Sequence, residues 1–172
     1  MKKIILNCSI LLAIVIVVQS CRPDKVPTLK PATSTVSGFA GTWKLTQVTE
    51  SDGNAVANKF TYQTMDITNA FPYNTFSLIL NMNDSTPTTF STVQGTAPKV
   101  IPITGGNWLF DNPNYPSVIT FTNGTDTSTL TINAYPTVES PQLDIALNKY
   151  AVTDTAKKSV LITYNYLFTK QQ

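Results

Sequence analysis

From Gly38 onward, apolar and polar side chains alternate with a period of two. Phe76, Leu78, Leu80 and Met82 alternate with Ser77, Ile79 and Asn81, and Leu143, Ile145 and Leu147 alternate with Asp144, Ala146 and Asn148. The longest such face is Val160, Ile162, Tyr164, Tyr166 and Phe168, with Leu161, Thr163, Asn165, Leu167 and Thr169 opposite. Alternation over that length marks a strand buried on one side. The abundant threonines suit the same geometry, because a β-branched side chain fits a pleated surface. Turn chemistry falls between these runs. Asn123-Gly124 separates Val118–Thr122 from Leu130–Ile132 and predicts a hairpin with a loop longer than two residues. Asn83-Asp84-Ser85-Thr86-Pro87 reads as a turn, and Thr153–Lys158 as the loop joining the last two strands. Apolar residues at three-and-four spacing with helix caps are missing. The pattern predicts an all-β domain over residues 38–172: a single antiparallel meander of about eight to ten strands, closed into a barrel.

The first 37 residues follow other rules. Lys2 and Lys3 precede an almost unbroken apolar run, Ile4–Val18, and small or polar residues come next. That is the zoning of a secretory signal. As a membrane span the run is short: about 15 residues at ~1.5 Å each give roughly 22 Å of helix, against a hydrocarbon core of ~30 Å. Asn7, Cys8 and Ser9 weaken it further as a permanent anchor. The run ends at Cys21, and Arg22–Ser37 carries Pro23, Pro27 and Pro31 among Lys, Thr and Ser with little to bury. Such a segment behaves as a flexible, partly extended tether. It lacks the Pro-x-x-Pro with a basic flank that would make it a recognition segment.

Val18-Gln19-Ser20-Cys21 resembles the lipobox of bacterial lipoproteins, with an aliphatic residue three places before the cysteine and a small one directly before it. The resemblance implies cleavage before Cys21, a thioether-linked lipid on its sulfur and acylation, with palmitate for example, of the new amino group. Two or more chains hold a protein stably at a membrane, where one does not. The organisation expected is therefore a lipoprotein signal peptide at residues 1–20, a lipidated cysteine and tether at 21–37, and the barrel at 38–172. Ordinary secretion, with Cys21 a chance residue, is the alternative. The expected location is the cell envelope, at the outer membrane and on either its periplasmic or its outer side, with the membrane itself as first partner. With Cys8 removed and Cys21 lipidated, the mature domain has no thiol and must rely on an ordinary core.

The domain opens with Gly38-Phe39-Ala40-Gly41-Thr42-Trp43-Lys44-Leu45. Gly41-Thr42-Trp43 resembles the Gly-x-Trp signature of lipocalins, and the whole arrangement is similar to the lipocalin-like domains of bacterial envelope lipoproteins. In those, a lipobox and short linker lead to Gly-Thr-Trp-Lys-Leu and the chain ends on a strand finishing Leu/Phe-x-Lys, as Leu167-Phe168-Thr169-Lys170 does here. The resemblance implies a barrel closed by Gly41, Trp43 and a basic residue of the last strand. Lipocalins use an arginine there. The only arginine in this chain is Arg22, so Lys170 is the expected substitute, through a weaker cation–π contact.

Composition then removes whole classes of chemistry. The chain has no histidine, so the usual general base and the usual Ser or Cys triad are missing. No glycine-rich phosphate loop occurs. Glu50 and Glu139 are the only glutamates, each in a polar, turn-like setting, and no aspartate lies in an apolar run that would raise its pKa. No enzyme activity and no cofactor are expected. A net charge of +2 with 13% charged residues offers no basic stripe for a nucleic acid. Asp111-Asn112-Pro113-Asn114 and Asn123-Gly124-Thr125-Asp126 gather oxygen atoms but lack the spacing of a calcium loop, and read as turns rather than a metal site. Asp84-Ser85-Thr86 and Asp154-Thr155-Ala156 resemble an O-glycosylation signal of some envelope proteins, at Ser85 and Thr155.

Two functions fit what is left. The first is a barrel that binds a small apolar or amphipathic ligand, with Trp108, Tyr164 and Tyr166 as candidate contacts. The second is a surface module for a glycan or protein, in which an exposed Trp108 and loop aromatics (Tyr115, Tyr135, Phe71, Tyr73) form a platform. A scaffold without any ligand is also compatible with the sequence.

Overall fold

A computed structural model describes residues 36–151 and 159–171. The signal, Cys21, the tether and the loop holding Thr155 lie outside the described residues. Within them the chain forms nine strands: β1 (Gly41–Asp52), β2 (Thr64–Asp66), β3 (Ser77–Asn83), β4 (Thr86–Val93), β5 (Gly105–Phe110), β6 (Val118–Asn123), β7 (Asp126–Ala134), β8 (Gln142–Tyr150) and β9 (Val160–Lys170). A five-residue helix, α1 (Gly53–Ala57), is the only α-helix among the described residues. Strands β3 to β9 follow one another around the sheet, and β9 returns to pair with β1, which pairs in turn with β3. The result is a closed eight-stranded antiparallel barrel with β2 as one extra strand.

The long first strand makes closure work. One edge of β1 pairs with β9 from Trp43 to Asp52. The other edge pairs with β3 over Gly41–Lys44 and with β2 over Thr49–Ser51. A bulge between Leu45 and Gln47 shifts the register by one residue. That single extra residue keeps Trp43, Leu45 and Val48 all inside, although their spacing is not a strict alternation. Inward residues meet across the seam: Trp43 faces Lys170, Leu45 faces Phe168, Val48 faces Tyr166 and Glu50 faces Tyr164.

The alternating faces predicted on β3, β8 and β9 are the faces that point inward. Leu78, Leu80, Leu143, Ile145 and Phe168 are each at most 1% exposed. Phe76, Phe121, Ile119, Leu130 and Phe90 complete the middle of the barrel, so its central layers are filled by side chains. At the base, where β1 starts and β9 ends, a short 3-10 turn (Ser37–Phe39) drives Phe39 into the opening. Its ring meets Phe110 edge-on at 4.9 Å and lies 6.2 Å from Tyr135, while Trp108 meets Phe110 at 5.0 Å. Such tilted aromatic contacts add to the area they bury. At the opposite rim, Val100 and Ile101 of the β4–β5 connection fold inward, as do Ile67 and Tyr73 from the β2–β3 connection.

Three details differ from the sequence-based expectation. The β6–β7 hairpin is tight: Asn123 pairs with Asp126 and only Gly124 and Thr125 lie between them. Strand β7 therefore starts four residues before Leu130, because Thr127 and Thr129 stand on the solvent side of a barrel wall while Ser128 turns in and is buried. Polar residues that look like loop are here the outer half of a strand. The Asp52 carboxylate caps α1, accepting hydrogen bonds from the amides of Asn54 and Ala55. Glu50 lies within β1, paired on both sides, and not in a turn.

Gly41 sits at φ +135°, and a Cβ there would stand 2.6 Å from Lys170 Cε. Gly41→Ala should lower stability by about 1–3 kcal/mol through backbone strain, with a further loss as the lysine stem is displaced. The loss should shrink in a Lys170→Ala background, where only the strain remains. Thermal unfolding of the four proteins checks this; equal losses in both backgrounds would show that the lysine does not press on Gly41.

Candidate functional site

The two ends of the barrel are chemically different. At the base every recognition group is already used. The Trp43 indole N–H donates to the Phe39 carbonyl at 2.8 Å. The Lys170 ammonium stands 5.4 Å from the Trp43 ring centroid and donates to the Gly38 carbonyl at 3.1 Å. Gly41, Trp43 and Lys170 thus meet in one place, and a cation over an indole face is favourable. Trp108 belongs to this plug. It is 2% exposed, packs against Phe39 and Phe110, and donates its indole N–H to the Asn81 carbonyl at 3.0 Å. An exposed platform built on Trp108 is therefore not what the chain forms. Tyr135 is also held, its hydroxyl donating to the Pro116 carbonyl, whereas Tyr115 is exposed.

The oxygen-rich stretches act as loop clasps. The Asp111 carboxylate accepts from the amides of Ser117 and Val118 and from the Ser117 hydroxyl. The hydroxyl bond above all holds the Asp111 carboxyl down, to about 2. Asn112 accepts from the amides of Asn114 and Tyr115, and Asn123–Asp126 is the β6–β7 hairpin. Among the described residues no group of three His, Cys, Asp or Glu side chains converges.

The rim is where surface is left unspent. On the inner face, Tyr164 and Tyr166 point into the barrel two residues apart, their rings nearly parallel with centroids 6.2 Å apart. Tyr166 is 4% exposed beside Val48, whereas Tyr164 and its cross-strand partner Glu50 are half-buried. Register sets the Tyr164 ring directly across from Glu50. Tyr73, carried inward by a 3-10 turn (Tyr73–Thr75), completes the group and rests edge-on against Phe71 at 5.8 Å. Tyr73, a candidate loop aromatic by sequence, turns inward here, and Glu50 joins it although the sequence marks Glu50 as a turn residue. The signal for Glu50 was there: once one residue is allowed to bulge, the inward series Trp43, Leu45, Val48 continues to it.

On the outer side of the same rim, α1 lies against the start of β9 and leaves a cleft of about 710 Å³. Val56 and Ala57 of α1 line it, with Val160, Leu161 and Thr163 of β9 and Ser51 of β1. Val56 and Leu161 are each about half exposed. Other large apolar side chains stand in solvent close by in sequence: Phe60, Tyr62, Met65 and Phe71, with Tyr62 at 89%. No helix among the described residues is long and apolar enough to cross a membrane.

Burial raises the tyrosine hydroxyls of the inner group above their ordinary value of 10.0, most for Tyr166, with neighbouring tyrosines adding to it; Glu50 contributes for Tyr73 and Tyr164. The fold thus favours the neutral phenols. That contribution is complete below pH about 10 and is lost as pH rises through the raised values. Tyr166→Phe, which cannot ionise, should move the midpoint of alkaline unfolding to higher pH. Near-ultraviolet circular dichroism against pH reads it, and an unmoved midpoint would remove Tyr166 from the alkaline transition.

Searches among curated proteins and among solved structures found no match to this chain. A protein family does match, over residues 24–169, and its description is "Domain of unknown function (DUF5004)". With that match covering most of its 172 residues, the chain belongs to this family.

Proposed function

We propose that this protein is a lipid-anchored envelope lipoprotein of lipocalin-like build, and that it holds a small apolar or amphipathic ligand at its rim. The observation that carries the ligand is the cleft between α1 and β9. Its volume of about 710 Å³ is that of small-molecule sites, which are ~300–1,000 Å³ and mostly apolar with a few polar groups. Val56, Val160 and Leu161 supply the apolar lining, and Ser51, Asn54 and Thr163 the polar edge. The ligand position proposed is outside the wall because the central layers of the barrel are occupied by their own side chains.

The lipocalin-like reading rests on the closed eight-stranded meander that opens on Gly41-Thr42-Trp43 and brings Lys170 over the indole. The anchor rests on the sequence around Cys21, and the envelope location and the membrane as partner follow from the anchor. The protein's role is binding, without catalysis or cofactor.

One further reading has its own observation. Phe60, Tyr62, Met65 and Phe71 are all more than half exposed within a short stretch of chain, and exposed aromatic patches mark partner surfaces. In this reading the rim is an accessory surface for a protein or a glycan, with these residues in the role that Trp108 does not fill.

Two experiments separate the parts. Fractionation of cells expressing the full chain should find it with membranes, and Cys21→Ser should release it; a membrane-bound Cys21→Ser protein would overturn the anchor. Irradiation of the full chain in membranes with a photoactivatable long-chain alcohol should attach the probe to peptides from α1 and the start of β9. Leu161→Lys places a charge in the cleft and should reduce that labelling about tenfold, equivalent to ~1.4 kcal/mol. Labelling elsewhere, or labelling indifferent to Leu161→Lys, would leave the cleft without a ligand. Competition by unlabelled glycan or loss of a co-purifying protein on Tyr62→Ser would instead favour the accessory surface.

A further inference from the structure

We propose that the inner face of the rim is a second binding site, separate from the cleft, for an organic cation such as an alkyl- or arylammonium group. Register puts three side chains in one cross-strand row: Met65 on β2, Glu50 on β1 and Tyr164 on β9. The next row down holds Val48 opposite Tyr166, with Tyr166 and Tyr73 buried beneath the mouth. Glu50 and Tyr164 remain partly open to solvent, so a ligand can reach the carboxylate and the ring without unfolding anything.

Lys149 of β8 shares this inner face, but register puts it opposite Ile162, two strands from Glu50 and one row nearer the edge. Glu50 forms no ion pair among the described residues, and the side chains flanking it across the sheet are a tyrosine and a methionine rather than a lysine. Tyr164, directly opposite, is a neutral side chain and brings no positive charge. Tyrosine ring faces are electron-rich and attract cations, most strongly where water is excluded, and the thioether of Met65 adapts to irregular apolar groups. A carboxylate set between tyrosine rings and a thioether is therefore complementary to an ammonium carrying carbon substituents. A bare metal ion would find one carboxylate and few other oxygens, and an anion would be repelled.

The base of the same barrel shows the complementary arrangement. There the aromatic face of Trp43 already has its cation, Lys170, supplied by the chain. At the rim the described residues set tyrosine rings beside an anion, Glu50, and pair no lysine with it across the sheet.

The test uses the full chain in non-ionic detergent and three probes of similar size: phenyltrimethylammonium, benzyl alcohol and benzenesulfonate. Calorimetric titration should show saturable binding of the ammonium, the alcohol at least about tenfold weaker, and no binding of the sulfonate. Glu50→Gln should weaken the ammonium about tenfold, equivalent to ~1.4 kcal/mol, with the alcohol unchanged. Tyr164→Leu should weaken it too, while Tyr164→Phe, which keeps the ring, should retain most of the affinity. Leu161→Lys, in the outer cleft, should leave ammonium binding as it was, so the two sites fail or stand separately. No saturable ammonium binding, equal affinity for ammonium and alcohol, or a Glu50→Gln protein that binds as tightly as wild type would each overturn the proposal. Should Glu50→Gln prove unstable, loss of ammonium binding in Tyr164→Leu but not in Tyr164→Phe decides the question.

Discussion

Everything in this molecule depends on the pairing of its first strand with its last. Strands β1 and β9 run antiparallel from the base, at Trp43 and Lys170, to the rim, at Asp52 and Ile162. Without that seam the meander would be an open sheet with two long edges, each a row of unpaired amides and carbonyls. With it, every inward side chain is committed to a common interior, and its neighbours across the seam are fixed in pairs. The bulge at Leu45/Gln47 is part of the same constraint. A strand this long must cross a curved wall, and one added residue lets Trp43, Leu45 and Val48 face inward on a surface that bends.

Closure forces a choice at each end, and the chain makes different choices. At the base it closes the opening with its own aromatics, satisfies both indole N–H groups and covers the Trp43 face with Lys170. That end is self-sufficient, and rigidity there follows from packing and hydrogen bonding together. At the rim the wall is uneven. β1, β8 and β9 form one tall segment, while β3 begins only at Ser77, so the inner surface of the tall segment stays partly open. Glu50 and Tyr164 occupy that surface. A carboxylate would be tolerated poorly in the filled layers below, where its neighbours are Phe76, Phe168 and Leu80.

The fold was legible because burial in a barrel is a one-dimensional signal. Each strand needs only to alternate, and β3, β8 and β9 do so in plain view. The lysine over Trp43 was legible too, because the two ends of the chain must meet if the sheet closes. Other features were hidden for physical reasons. Thr127 and Thr129 resemble a loop because the outer face of a barrel can be wholly polar, and with Ser128 between them the apolar pattern begins only at Leu130, four residues into β7. Glu50 was hidden by composition, since Thr49-Glu50-Ser51-Asp52-Gly53 has the residues of a turn and strand pairing on both sides overrides them. Trp108 carried the opposite illusion. A tryptophan behind two glycines can stand on a surface or enter a core, and only the approach of Phe39 from outside β1 decides for the core. Sites built from residues far apart in the chain, such as Tyr73 with Glu50 and Tyr164, have no local signature at all.

The uneven rim also locates the part of the chain that closure does not require. The rim connection between β6 and β7 takes two residues, Gly124 and Thr125. The connection between β1 and β3 runs from Gly53 to Phe76 and includes α1, β2 and a 3-10 turn. A meander needs none of this, since β3 already pairs with β1 near the base. Yet this excursion carries Val56, Phe60, Tyr62, Met65 and Phe71 in solvent, and it forms one wall of the outer cleft. Exposed apolar side chains in such number work against solubility, and β2 presents a sheet edge besides. The excursion also delivers Met65 and Tyr73 to the inner mouth. Barrel and excursion therefore divide the labour: the β1–β9 seam and the plugged base supply a stiff wall, and the excursion shapes a different surface on each face of it. Changes in the excursion can then retune what is bound while the seam, and with it the fold, stays as it is.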